Sequence, residues 1–485
     1  MGTRRTRAVA RALIAAVAVA SCSQEPDYVR PAVPMPASYR DTPADVRLTP
    51  PTSQWWRSFG SEELDHLVDT ALANNLDLKM AVSRVAQAEA VAGVAAGALA
   101  PLIQGSNSAA MSNPPGGVPS MYPLPDGSYE RLYQVGITAS YEVDLWGKNR
   151  STMDAALATA EASMFDRETV AITLVSDVVT AYFQYLSSCE RADVAEKNVR
   201  NMKDVLADIN RRIAIGEGTK LELAQQRTIL DQAEATLPVL NTQRDQTLDR
   251  LAVLLGKPPQ AMTLKCGNLS GFHLPDISVG MPSELLLRRP DIRRAEANLK
   301  AATANIGVAR AQLFPSLNLS GTTGLGTFYL SNFITPGNFV YMAGANLLGT
   351  IFDNGKTRSG IRYSEAKQVE LIDAYRLAVL NALRDVQDAL ISVRNTGIEE
   401  AARQRALDNA ERAHHLSARS YVIGMVDYLT VLETERSQLR AEDDAVLARY
   451  NRLLAAVALY KSLGGGTKAA AKSGPAPAGK SGGPS

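Results

Sequence analysis

Aromatic residues are scarce in this sequence, at 6%, although 46% of it is hydrophobic. A core rich in Phe, Tyr and Trp is therefore not expected. The apolar share rests largely on Ala, Leu and Val, and Ala and Leu favour helix. Net charge is lacking too: 51 Lys+Arg against 50 Asp+Glu leaves +1. That excludes nucleic-acid binding by bulk electrostatics, which needs a basic face or stripe. Three Cys are too few for a disulfide framework. Cys189 and Cys266 read as isolated, buried small hydrophobes. Four scattered His argue against a multi-histidine metal centre. His414 and His415 are neighbours, so a helix turns them about 100° apart and they cannot chelate as an i, i+4 pair would. Neither H-E-x-x-H nor G-x-S-x-G occurs. Gly355-Lys356-Thr357 looks like the end of a phosphate loop, but Thr350 stands where that loop needs Gly. An enzyme is not expected, and no cofactor or metal is implied.

What is present begins with an export signal over 1–21. Arg4, Arg5, Arg7 and Arg11 precede a short apolar run, Ala12 to Ala20, too short to span a bilayer. Val19-Ala20-Ser21-Cys22 then resembles the lipobox of bacterial lipoproteins. That resemblance implies cleavage before Cys22 and a lipid on its sulfur. The tail, 464–485, is rich in Gly, Ala, Ser and Pro and is expected to be disordered. Without the signal's arginines and the tail's Lys468, Lys472 and Lys480, the remaining body is mildly acidic.

At about 100–200 residues per domain, 485 residues suggest two to four domains or one elongated unit. Self-comparison favours two related halves. Asp77 stands to Pro101 as Asp291 stands to Pro315. Gly147, Gly216 and Gly256 are spaced as Gly355, Gly424 and Gly464. The first half is longer only between Pro101 and Gly147, where Asn113-Pro-Pro-Gly-Gly and Pro123-Leu-Pro-Asp-Gly signal loop.

Each half reads as helix, strand pair, long helix, turn, helix. The first helix is expected over Ser61 to Ala98. Tyr133, Val135, Ile137, Ala139, Tyr141, Val143 and Leu145 alternate with polar or small residues, the period of a strand with one apolar face. Strands are expected over Leu102–Met111, Tyr133–Leu145, Ser316–Gly326 and Phe339–Phe352. Their length suits tilted membrane strands. Four such strands cannot close a barrel, and an open edge in lipid leaves backbone groups unpaired, so closure requires several chains.

Lys148 to Ile215 contains no Pro and no Gly, and Lys356 to Ile423 only Gly360 and Gly397. About 65 helical residues would span about 100 Å. Val199, Met202, Leu206, Ile209 and Ile213 form a heptad seam, as do Leu432, Leu439, Val446, Leu453 and Tyr460. Long antiparallel helical hairpins follow.

Several motifs, in this order and spacing, resemble the OprM- and NodT-like branch of the TolC-type outer membrane factor family. They are Pro26-Asp-Tyr-Val-Arg-Pro31, Trp55-Trp-Arg-Ser-Phe-Gly60, Tyr141-Glu-Val-Asp-Leu-Trp-Gly-Lys148, Arg289-Pro-Asp-Ile-Arg-Arg-Ala-Glu296, Leu313-Phe-Pro-Ser-Leu317 and Ile351-Phe-Asp-Asn-Gly-Lys356. The resemblance covers nearly all of 22–463. It implies a mainly α fold with membrane β: a homotrimeric, 12-stranded outer-membrane β-barrel continued by an α-helical coiled-coil periplasmic tunnel. The organisation is then signal 1–21, lipidated extended segment 22–60, repeat 1 over 61–256, equatorial linker 257–284, repeat 2 over 285–463 and tail 464–485. The strand pairs lie at 102–145 and 316–352.

The function so implied is that of an outer-membrane exit channel in tripartite efflux. Its partners would be a periplasmic adaptor, an inner-membrane resistance-nodulation-division pump and outer-membrane lipid, with no nucleic acid. By family position, Leu429 and Glu433 fall where an apolar and an acidic ring narrow the tunnel. Tyr421 and Glu222 match positions that bridge neighbouring hairpins in the closed state. Thr430 replaces a second Asp of the TolC pattern and Val426 a bridging Arg, so a salt-linked lock is not expected. The turns Gly216–Leu223 and Gly424–Val431 resemble tips that meet the adaptor, with Gly216, Leu221, Gly424 and Asp427 as contacts. The competing functions are a periplasmic coiled-coil scaffold or adaptor lipoprotein, which would not need the Tyr133–Leu145 alternation, and the exit duct of a type I secretion system.

Overall fold

A computed structural model of the chain describes residues 23–40, 53–112, 130–274 and 281–466. The signal, Cys22, the loop 113–129, part of the linker and residues 467–485 of the tail lie outside the described residues. Two compact units are present. The described residues of 1–31, 84–163 and 294–375 form one, and those of 32–83, 164–293 and 376–485 form the other. Each unit therefore takes segments from both halves of the sequence.

The first unit carries the sheet. Strands β1 (Leu102–Ser112), β2 (Glu130–Val143), β3 (Ser316–Thr327) and β4 (Phe339–Leu348) run antiparallel in the order β1-β2-β3-β4. The register pairs Ile137 with Gly105 and Thr323, and Leu319 with Tyr141 and Ala345. Among the described residues, the outer edges of β1 and β4 have no partner. All ten residues of β4 are exposed, including Phe339, Tyr341, Met342 and Leu347. At the centre of the sheet Gly136 faces Gly324. A Cβ on Gly324 would lie 2.2 Å from the Val135 carbonyl oxygen, so the pair permits a backbone approach no larger residue allows. On the polar face Thr138 and Thr322 bring their hydroxyls to 3.3 Å.

Two strands end earlier than the alternation suggests. β2 stops at Val143 and β4 at Leu348, leaving Leu145, Ile351 and Phe352 outside the sheet. The cause is helix capping. Asp144 accepts the amides of Asn149 and Arg150 at 3.0 and 2.9 Å, and Asp353 those of Gly355 and Thr357 at 2.9 and 2.8 Å. Each carboxylate satisfies donors that a helix start leaves unpaired, and so starts α3 (Lys148–Ala214) or α7 (Lys356–Val422). Trp146 donates its indole N–H to the Pro315 carbonyl at 2.8 Å and stacks on Phe314 at 4.6 Å. The extended N-terminal segment is fastened in the same unit: Tyr28 and Arg30 both donate to the buried Glu296, at 3.2 and 2.9 Å.

In the second unit, α1 (Glu62–Asn74) begins at Ser61, whose hydroxyl accepts the Leu64 amide. It buries Leu64, Leu67, Val68 and Ala71. The single helix expected over Ser61–Ala98 is broken at Asn75. The Asn75 side chain caps α2 (Leu76–Gly97) by accepting from Leu78 N at 2.9 Å, and it donates to the Leu254 carbonyl at 3.0 Å. α3 and α7 each run 67 residues, and their hairpin partners α4 (Lys220–Leu254) and α8 (Tyr428–Ser462) each run 35. α3 holds an apolar window long enough to cross a membrane as a helix, but 56% of that window is buried inside the protein, as in a core helix.

Two expectations are corrected in this core. The few aromatics are gathered rather than diluted: Trp55, Trp56, Phe59, Tyr182, Phe183 and Tyr460 are buried in one cluster. Trp55 stacks on Tyr460 at 4.8 Å, and Phe183 meets Phe59 and Phe272 edge-on, each at 5.1 Å. A chain-wide average does not register such clustering. Cys189 and Cys266 are not isolated thiols; they form a disulfide that ties α3 to the segment after α4. Nearby, Tyr185 donates to the Leu264 carbonyl at 2.8 Å and Glu190 accepts the Leu269 amide at 2.8 Å, so the same segment is held at three points.

After the short helix α5 (Leu285–Arg288), the buried Arg289 sits before α6 (Pro290–Ala311). Its guanidinium bonds both oxygens of Asp291 at 3.0 and 2.7 Å, Asp385 of α7 at 3.2 Å and the Ser462 carbonyl of α8 at 3.0 Å. One side chain thereby joins three helices.

Candidate functional site

The hairpin turns are built by glycine and cap chemistry. α3 ends before Gly216 (φ 84°) and α7 before Gly424 (φ 74°). Both occupy the left-handed region that closes a helix and that a Cβ disfavours. Glu217 N donates to the Arg212 carbonyl at 2.8 Å and Met425 N to the Ser420 carbonyl at 2.9 Å, closing the last turns. Apolar side chains are left exposed around both turns: Ile215 and Leu221 on the first, Val422, Ile423 and Met425 on the second.

The sequence-selected residues divide into two groups. Glu222 and Asp427 act locally. Glu222 completes a capping box with Thr219: its carboxylate accepts the Thr219 amide at 2.9 Å, and the Thr219 hydroxyl accepts the Glu222 amide at 3.2 Å. Asp427 caps α8, accepting the amide and hydroxyl of Thr430 at 3.0 and 2.6 Å, and these bonds hold its carboxyl below the usual range. Among the described residues, then, neither Glu222 nor Thr430 makes a hydrogen bond or ion pair between hairpins. Tyr421 does: it accepts from the Arg212 guanidinium, which also lies over its ring, 5.3 Å from the centroid. Arg212 was not singled out from the sequence. The repeat places Ser420 opposite it, and no local signal pairs α3 with α7.

Leu429 and Glu433 project away from the core. Leu429 is 57% exposed, and Glu433 is exposed with no hydrogen bond or ion pair among the described residues. The opposite face of α8 is packed: Tyr428, Val431 and Leu432 join Val199, Met202, Ile209, Ile229 and Leu230 of the first hairpin. Tyr428 donates to Gln226, fully buried, at 2.8 Å. These contacts fix the α8 rotation that leaves Leu429 and Glu433 outward.

Glu435 lies on the packed face. Burial raises its carboxyl above the usual range, and the neighbouring Arg436 only partly opposes this. A group with a raised folded value contributes stability below its unfolded value and loses it as pH rises through the folded one. Glu435→Gln is therefore expected to raise the thermal midpoint by a few degrees near neutral pH, with the gain shrinking toward about pH 4. Circular dichroism melts across that range check it; a variant less stable than wild type at neutral pH contradicts it.

Among the described residues no cluster of His, Cys, Asp and Glu could hold a metal ion. The arrangement consists of turns, caps and exposed apolar and acidic side chains.

Comparison with known proteins agrees in sequence and in fold. The profile of the family described as "Outer membrane efflux protein" matches residues 67–257 and 281–465. The pyoverdine export outer membrane protein OpmQ of Pseudomonas aeruginosa is 38% identical over 454 residues, covering 93% of this chain and 95% of that protein. The cation efflux system protein CusC of Escherichia coli is 30% identical, covering 93% and 97%. Among solved structures, the open state of the Neisseria gonorrhoeae MtrE outer membrane channel superposes with a TM-score of 0.83 at 29% identity, covering 92% of this chain and 98% of that one.

Proposed function

This chain belongs to the outer membrane efflux protein family, and from that premise we propose how it works as the outer-membrane exit channel of a tripartite efflux system. The observation that carries the proposal is the sheet. Its four strands leave two outer edges unpaired among the described residues, and β4 is exposed along its whole length. Edges of this kind cannot stand in lipid. Three copies pairing β4 of one chain with β1 of the next close a 12-stranded barrel without edges. The two halves then act as internal repeats, as their equal helix lengths and matched left-handed glycines support. The α3/α4 and α7/α8 hairpins form the periplasmic tunnel, and a lipid on Cys22 anchors the N-terminal segment. A coiled-coil scaffold would account for the hairpins but not for the sheet.

The role is conduction, with no catalytic step. Gly216, Leu221, Gly424 and Asp427 shape the tips offered to a periplasmic adaptor. A resistance-nodulation-division pump in the inner membrane supplies the cargo and the energy. Leu429 and Glu433, one helical turn apart on the outward face of α8, form an apolar and an acidic ring around the axis. Three facing carboxylates repel one another and favour cations. The Arg212–Tyr421 contact joins the two hairpins in place of the salt-linked lock that Val426 and Thr430 cannot form. Replacing Leu429 and Glu433 together with Ala is expected to raise passive conductance several-fold in a reconstituted bilayer. Unchanged conductance would remove these residues from the gate.

A further inference from the structure

The helical unit contains a groove of about 590 Å³ between α3, α4 and α8 that conduction and adaptor docking leave unused. Its floor is mixed, with Val194, Ala195 and Ala233 beside the polar Asn198, Gln232 and Thr236. Met202, Ile229 and Leu240 are buried and Leu439 is half-buried. Pro238 lies inside α4 between the lining residues Thr236 and Leu240. A proline there gives no N–H to the helix ladder, so this wall lacks one backbone bond.

The rim is cationic. Arg436 and Arg440 are exposed and one turn apart on α8, and among the described residues neither makes a hydrogen bond or an ion pair. The carboxylate lining the groove, Asp443, is already occupied. Arg191 donates to both of its oxygens, at 2.6 and 3.0 Å. Arg436 acts on the buried Glu435 only at a distance, without an ion pair, so the groove lining keeps a net positive charge. A guanidinium pair recognises carboxylate, sulfonate or phosphate through charge-assisted bonds in a planar fork. The volume falls in the range of about 300–1,000 Å³ usual for small-molecule sites.

We propose that this groove binds an amphiphilic organic anion, with the charged head on Arg436 and Arg440 and the hydrocarbon body over Met202, Ile229, Leu240 and Leu439. An inorganic anion would use the rim and not the floor, and a neutral amphiphile the reverse. Arg436 and Arg440 continue the α8 stripe of Leu429 and Glu433 at helical spacing. That the groove opens toward the conduit rests on the gate reading; binding itself does not. If the gate variant leaves conductance unchanged, the location fails and the binding site stands.

The test uses the full-length protein in lipid nanodiscs and bromo-octanoate as the probe. Equilibrium dialysis compares wild type with Arg436→Gln/Arg440→Gln, so that partition into lipid cancels. Wild type is expected to bind about tenfold more tightly than the variant, the scale of lost charge-assisted contacts. The neutral bromo-octanamide is expected to bind both proteins equally and weakly. Crystals soaked in bromo-octanoate should place anomalous bromine density over Met202 and Leu439. Equal binding of the anion by both proteins overturns the proposal. So does bromine density found only elsewhere, or full displacement by chloride at equal concentration, which would reduce the site to a simple ion rim.

Discussion

Replacing Cys189 and Cys266 together with Ser is expected to destabilise the helical unit by about 4 kcal/mol. The bridge closes a loop with a sequence separation of 77, which contains the turn of the first hairpin and all of α4. Cutting it returns that loop's closure entropy to the unfolded chain. The expected result is a melting midpoint that falls by many degrees in the double variant and by as much in wild type treated with reductant. The remaining attachments, Tyr185 to Leu264 and Glu190 to Leu269, are ordinary hydrogen bonds worth about 1 kcal/mol each, or up to about 3 where the acceptor is charged. They do not replace a covalent tie. A disulfide also fits an oxidising compartment such as the periplasm. Free thiols at both positions in the exported protein, trapped by alkylation, would contradict this prediction directly.

The second large effect is expected at Arg289. Arg289→Ala should cost about 2 kcal/mol, because it removes the buried guanidinium shared by two part-exposed carboxylates, Asp291 and Asp385, and takes the donor from the Ser462 carbonyl. Arg289→Lys should recover only part of the loss, since an ammonium keeps the charge but not the fork that reaches four acceptor atoms. Combining Arg289→Ala with Asp385→Asn should restore some stability by removing one of the two like charges left at the junction, where Asp385 keeps only its exposed neighbour Arg384, a coupling that a double-mutant cycle reads. A melting midpoint unmoved by Arg289→Ala would show that the three helices are held elsewhere.

The features that could be read from the sequence are those carried by local periodicity. The alternation from Tyr133 to Val143 marked β2 because a strand facing two environments repeats every second residue. The turns at Gly216 and Gly424 were legible because a left-handed residue needs glycine. The absence of breakers across Lys148–Ile215 foretold a single long helix. Contacts between distant segments left no such mark. The Cys189–Cys266 bond, the Arg212–Tyr421 contact and the three-helix junction at Arg289 join residues whose neighbours in sequence say nothing about their neighbours in space. Glu222 is a different case. Thr219-Lys-Leu-Glu222 is itself a capping-box signature, and family position drew attention to a bridging role instead. Asn75 likewise caps α2 within a run of helix formers, so a uniform composition concealed a real break.

The central claim is that this chain conducts solutes across the outer membrane. Single-channel recording of the purified full-length protein in a planar bilayer tests it most directly, with wild type and the Leu429→Ala/Glu433→Ala variant measured side by side. The account predicts discrete conductance steps that favour cations in wild type and larger steps in the variant. Bilayers that stay silent with both proteins, under conditions where insertion is confirmed, would contradict it.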